Sequence, residues 1–169
     1  MIIMKYSIVT SSKTGNTVLL ANQIADVLPK KDCLYHGSPD AEGAQADTIF
    51  VGFWTDKGSC DETVSAFLQT LHEKKVFLFG TAGFGGSETY YEQILDRVAS
   101  YLSSDNTVIG RYMCQGRMPA SVRETYENLL EKDPQKFQPM IDNFDRALSH
   151  PDQEDLDALS KAVGELSFT

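Results

Sequence analysis

The chain has 169 residues, of which 41% are apolar and 23% charged, and its formal net charge is -9. That size and mixture suit a single domain, residues 1–169, with a core of its own. The negative balance argues against nucleic acid and anionic membrane surfaces as partners, and favours proteins with basic docking surfaces. No stretch approaches the ~20 apolar residues of a membrane span. Cys33, Cys60 and Cys114 lack metal-ligand spacing, so no metal is expected. The apolar start is short, broken by Lys5, and lacks the basic leader of a signal peptide. These features predict a cytoplasmic protein with reduced thiols.

In chain order, residues 2–10 read as a buried strand. A hydroxyl-rich turn follows, then a helix over 17–28 with Val18, Ala21, Ile24, Ala25 and Leu28 on one face and Pro29 at its end. Residues 33–36 and 48–53 read as the next two strands. Ser59 and Glu62 have capping-box spacing ahead of a helix that presents Val64, Phe67, Leu68 and Leu71. Residues 75–80 form a fourth strand. A helix with Tyr91, Ile94, Leu95, Val98 and Leu102 on its apolar face comes next, and residues 106–114 a fifth strand. Beyond Cys114 the pattern is helical, with stripes at Phe137, Met140, Ile141, Phe144 and Leu148 and at Leu156, Leu159, Val163 and Leu166, separated by His150-Pro151. Apolar strands alternating with helices predict an α/β fold: a doubly wound five-stranded parallel sheet in the order 2-1-3-4-5, helices on both faces, and a helical C-terminal extension.

In that order strands 1 and 3 are neighbours, and the crevice between their carboxyl ends is the ligand position. The loop after strand 1 is Ser11-Ser12-Lys13-Thr14-Gly15-Asn16-Thr17. A strand-to-helix turn with hydroxyls, an amide and no carboxylate suits an anion, because helix N–H groups and the helix dipole favour negative charge there. It holds no cysteine or other evident nucleophile, so it reads as a loop that binds a phosphate without reacting with it. The loop after strand 3 is Trp54-Thr55-Asp56-Lys57-Gly58-Ser59, which sets the only tryptophan beside the phosphate turn. A flat, phosphorylated ligand satisfies both. There is no G-x-x-x-x-G-K-[ST] loop and no G-x-G-x-x-G after strand 1.

Ser12-x-Thr14-Gly15-Asn16-Thr17, with Val51-Gly52-Phe53-Trp54 ending strand 3 and Thr81-Ala82-Gly83 after strand 4, resembles the flavodoxin family. Phe53-Trp54-Thr55-Asp56-Lys57-Gly58, Phe79-Gly80-Thr81 and Cys114-Gln115-Gly116 are similar to a short flavodoxin-like subfamily of anaerobic bacteria, some members of which are encoded beside bilirubin reductase. The resemblance implies noncovalent FMN. It implies that Ser11, Ser12, Lys13, Thr14, Gly15, Asn16 and Thr17 wrap the phosphate. Phe53, Trp54, Thr55, Asp56 and Gly58 would border the isoalloxazine ring, with Trp54 against one face. Thr81, Ala82, Phe84 and Gly85 would border it from the next loop. Thr55 stands where the family often has glycine or asparagine, whose peptide can turn toward flavin N5. Being β-branched, Thr55 resists positive φ, and Gly58 is the alternative. Ser87 stands near the position of the usual covering tyrosine, which leaves Phe84 or, less readily, the helical Tyr90 to cover the outer face, or else that face open to a substrate.

The function implied is an electron-transfer flavoprotein that shuttles electrons between a reductase and an acceptor enzyme, in bilin reduction for the subfamily. One alternative is an FMN-dependent oxidoreductase acting directly on a quinone, a tetrapyrrole or NAD(P)H. Another is an accessory protein with the fold and no flavin. No catalytic side chain is singled out. Cys60 reads as a small residue near a helix start rather than a redox thiol. Arg111 and Arg117 flank Cys114 at the ligand end, either as ordinary surface charge or as contacts to an acidic substrate or partner.

Overall fold

The computed structural model describes residues 5–85 and 87–166. The first residues of the expected opening strand, from Ile2, and Gly86 of the third loop lie outside them.

Five strands run parallel in one sheet: β1 (Tyr6–Thr10), β2 (Cys33–Gly37), β3 (Thr48–Asp56), β5 (Lys75–Ala82) and β6 (Thr107–Gln115). Their order is β2-β1-β3-β5-β6. A sixth strand, β4 (Ser59–Cys60), pairs antiparallel with the end of β3 and stands off this path. Without β4, the order is the one expected of five doubly wound strands.

Both sheet faces are covered. Along β3 the side chains alternate: Ile49, Val51 and Phe53 pack against α2 (Glu62–Gln69) and α3 (Glu88–Ala99). Phe50 packs on the other face against α1 (Asn16–Val27) and α6 (Gln153–Gly164). Such two-sided burial is why the strands read as continuous apolar runs. The stripes of α2, α3 and α6 are buried or partly buried as expected, though Leu71, Leu102 and Leu166 follow the ends of their helices.

Two stripes differ from expectation. On α1 the buried residues are Asn16, Thr17, Leu20, Ala21 and Ile24, whereas Val18 is 43% exposed. The i, i+3, i+4 set that meets the sheet runs 17-20-21-24, which puts Val18 on the flank. On α5 (Pro134–Ala147) the stripe closes with Ala147, and Leu148 lies outside the helix and exposed.

The helical extension has two parts. α6 packs on α1 and β6 and completes a sheet face. Its start is fixed by a reciprocal capping box between Asp152 and Asp155, with His150 Nδ1 2.7 Å from Asp155 Oδ2. α4 (Ala120–Leu129) buries no residue fully and rests on α5, where Tyr126 and Phe137 stack at a tilt.

The carboxyl ends of the central strands are shaped by a reciprocal packing. Gly52 of β3 pairs with Phe79 of β5, and Phe53 with Gly80. A Cβ at Gly52 would stand 2.4 Å from the Phe79 ring, and one at Gly80 2.4 Å from the Phe53 ring. Each ring lies over the neighbouring strand's glycine, so these two glycines serve close packing.

Candidate functional site

β1 and β3 are adjacent, and the chain leaves their carboxyl ends toward opposite faces of the sheet. A crevice at that point is where open α/β sheets take ligands. One lip is the turn ahead of α1. Gly15 is the N-cap, at φ 89°, the left-handed region where glycine is unstrained. Its N–H donates to Ser12 Oγ at 3.0 Å. The first turn of α1 carries no acidic residue, so nothing offsets the positive end of the helix dipole.

The polar side chains of this turn divide. Ser12, Lys13 and Thr14 are exposed or half-exposed on it. Asn16 is buried and donates through Nδ2 to the Arg117 carbonyl at 2.8 Å; Thr14 Oγ1 approaches the same carbonyl at 3.4 Å. Ser11 turns aside, its Oγ donating to Asp61 Oδ2 at 2.7 Å. The fully buried Thr17 donates to the Phe53 carbonyl at 3.1 Å and lies 3.2 Å from Thr81 Oγ1. Thr17 and Thr81 thus tie α1 to β3 and β5.

The other lip is Trp54. Instead of ending at Phe53, β3 runs on to Asp56, and the stretch expected as a loop is a hairpin with Thr55 opposite Cys60 and Asp56 opposite Ser59. Lys57 and Gly58 form its tip, at φ 52° and 79°. Two successive positive-φ residues are what a two-residue hairpin turn requires. The Gly58 carbonyl accepts from Arg97 Nη1 at 2.9 Å, which anchors the tip to α3. Ser59 therefore belongs to a strand, and the expected capping box is absent. Asp61 is the N-cap of α2, and its carboxylate accepts from Ser11 rather than from the helix. Half-buried Trp54 carries the Lys13 ammonium 5.2 Å from its ring centroid. Phe53 is a core residue.

The third loop begins at Gly83, whose carbonyl accepts from Gln115 Nε2 and from Asn143 Nδ2, both at 3.0 Å. Gln115 Nε2 also donates to Asn143 Oδ1 at 3.1 Å. Phe84 is 40% exposed, and Ser87 caps α3 by accepting from the Tyr90 N–H. Tyr90 packs against the core, and burial raises its phenol pKa above the usual range. Of the two aromatic candidates for a ring cover, Phe84 is the one left free of the core.

Lys13, Thr14, Asn16, Trp54 and Thr55 line one cleft of about 170 Å³ together with Thr81 and Ala82. Ser11 and Ser12 line a neighbouring cleft of about 500 Å³ with His36 and Pro39. Asp56 and Gly58 are in the hairpin, and Gly85 packs near Gln115. Residues 116–119, including Met118 and Pro119, form a further wall that the sequence reading missed apart from Arg117. The apposition of Gly116 to Asn16 joins segments about a hundred residues apart, which no local motif announces. Arg111 is not in the cleft; it pairs with Glu92 and with Asp96 on α3. Nor is a thiol poised there. Burial pushes Cys60 up to about 11 and raises Cys114 as well.

A family model described as Flavodoxin domain matches residues 7–164. The chain belongs to the flavodoxin family. FMN is the cofactor of that family, and electron transfer its general role. Two relatives, each named flavodoxin-like domain-containing protein BilS, are similar along nearly the whole chain. The one from Clostridium symbiosum (strain WAL-14163) is 38% identical over 174 residues, covering 92% of each chain. The one from Clostridioides difficile (strain CD3) is 30% identical over 159 residues, covering 90% of each. A solved short-chain flavodoxin associated with a non-canonical PDU bacterial microcompartment superposes with a TM-score of 0.59 at 17% identity, over 96% of this chain and 95% of that one, which shows the shared fold.

The cleft of this flavodoxin-family chain has the chemistry FMN needs. Hydroxyls, an amide and the amino end of a helix stand at one end, and an indole face at the other. The cleft lining includes two cations and no carboxylate. No helix among the described residues is long and apolar enough to cross a membrane.

Proposed function

We propose that residues 1–169 form one FMN-binding domain that carries electrons, in the cytoplasm, from a reductase to an acceptor enzyme, and that the acceptor's reaction is bilin reduction. The observation that carries this reading is the placing of the phosphate turn and Trp54 at the carboxyl ends of adjacent strands. The bilin assignment draws on the two relatives named BilS and on the motifs shared with proteins encoded beside bilirubin reductase.

Bound FMN would supply the redox chemistry. The chain's part is to hold and shield it. Ser12, Thr14, Gly15 and Asn16 hold the phosphate through hydroxyls, an amide and the helix amino end. Trp54 takes one ring face, and Thr17 with Thr81 keeps the two lips at a fixed spacing. The net charge of -9 steers a partner that presents Lys and Arg around its own redox centre.

A second reading has one observation in its favour. Ser87 serves as a helix cap, and Phe84, the aromatic of the third loop, is exposed rather than packed in place. An open face suits a substrate, which makes direct oxidoreductase action the alternative. Stopped-flow reduction by a basic reductase across an ionic-strength series separates the two. A carrier slows as salt screens the encounter. A rate indifferent to salt, with steady turnover of a small quinone or bilin by the chain and a chemical reductant alone, would favour the enzyme.

A further inference from the structure

The wall formed by residues 116–119 lies against the phosphate turn and is fixed there. The Gly116 N–H donates to the Ala82 carbonyl at 2.9 Å, and the Arg117 N–H to the His150 carbonyl at 3.0 Å. The Arg117 carbonyl accepts from Asn16. Gly116 lets this wall approach closely: a Cβ there would stand 2.5 Å from Asn16 Nδ2 and 3.1 Å from Thr81 Cβ and would push the Asn16 amide aside. The backbone of Arg117 is thus held from two sides, at the amino end of α1.

The charges of this cleft run against those of the chain. The molecule carries 24 acidic and 15 basic residues, yet the charged residues lining the cleft are Lys13 and Arg117. Two of the other four arginines are paired with carboxylates, Arg111 with Glu92 and Asp96 and Arg123 with Glu127 and Asp145, and Arg97 is held by the Gly58 carbonyl. Among the described residues, Lys13 and Arg117 have no carboxylate partner. The Lys13 ammonium instead rests over the Trp54 ring.

We propose that Lys13 and Arg117 form a two-cation clamp on the FMN phosphate, and that Lys13 leaves the Trp54 face to join it. This rests on the FMN reading above. The turn's own donors are neutral hydroxyls, an amide and N–H groups, whereas a phosphate monoester is close to a dianion at neutral pH. Charge-assisted bonds to such a group are about twice as strong as neutral ones. A ring that stacks on Trp54 displaces the ammonium, and the phosphate at the turn receives it. One side chain therefore couples ring binding to phosphate binding.

Titration of FMN and of riboflavin into the wild-type chain and three variants tests the clamp. Arg117→Gln should weaken FMN about tenfold and leave riboflavin unchanged. Lys13→Ala should weaken FMN about tenfold while riboflavin binds a few-fold more tightly, since an exposed cation no longer covers the indole. Arg117→Lys should keep most of the discrimination. Raising the salt should weaken FMN in the wild type more than in either charge-removing variant. Flavin-free melting temperatures should match across the set, as both residues are exposed. FMN and riboflavin falling together, or FMN affinity unmoved by either substitution, would overturn the clamp and leave the FMN reading standing. A wild-type chain that binds neither flavin would overturn the FMN reading and the clamp with it.

Discussion

Trp54 combines a half-buried position with a cation on its ring, at the point where strand becomes hairpin. Its value to a flavin is contact area and stacking. Trp54→Ala should weaken FMN by about 1–3 kcal/mol, from lost burial and ring contact. Tryptophan emission should be strongly quenched as FMN saturates the wild type, and unchanged emission would move Trp54 away from the ring. The cysteines give a second test at this scale. Burial raises Cys60 to about 11 and Cys114 also upward, so near pH 8 only about a thousandth of Cys60 is thiolate. Deprotonation comes only as the pH climbs toward the raised value. Iodoacetamide on the native protein should label half-exposed Cys33 and spare the other two. Rapid labelling of Cys60 would restore a redox role to it.

At the scale of elements, the Phe–Gly exchange between β3 and β5 sets the floor of the site. Gly80→Ala pushes a methyl group into the Phe53 ring and should cost about 1–3 kcal/mol in urea unfolding, as overpacking of a filled core does. Asn143 joins α5 to the third loop through the Gly83 carbonyl and Gln115, and it is 8% exposed. Asn143→Ala leaves those partners short of a bond. It should lower stability by about 1–3 kcal/mol and weaken FMN relative to wild type; unaltered FMN affinity would make α5 a bystander to the site. These elements also show what was legible in the chain. The central parallel strands could be read because burial on both faces leaves apolar runs such as residues 48–53, whereas the edge strands β2 and β6 are only partly buried and were read from their place between helical patterns. β4 could not, because two residues, Ser59 and Cys60, carry no period, and Ser59-x-x-Glu62 imitates a capping box. The turn between β1 and α1 was legible because its residues are consecutive. The wall at residues 116–119 and the Asn143 brace were not, since each depends on contacts between segments remote in sequence. Thr17 looked like a phosphate ligand by motif, yet its hydroxyl bonds the Phe53 carbonyl inside the core.

At the scale of the whole molecule, a net charge of -9 surrounds a cleft whose own charges are positive. On the proposed reading the two signs have separate tasks: the cleft would attract an anionic cofactor, and the surface a basic protein partner. Reduction by such a partner should slow as ionic strength rises, with FMN supplied in excess so that the chain stays saturated. The claim beneath all of this is that the crevice beside α1 is built for a flavin with a single terminal phosphate. Isothermal titration of the flavin-free chain with FMN and, separately, with FAD tests it most directly. One FMN per chain, bound more tightly than FAD, is the predicted result; tighter binding of FAD, or no binding of FMN, would contradict it.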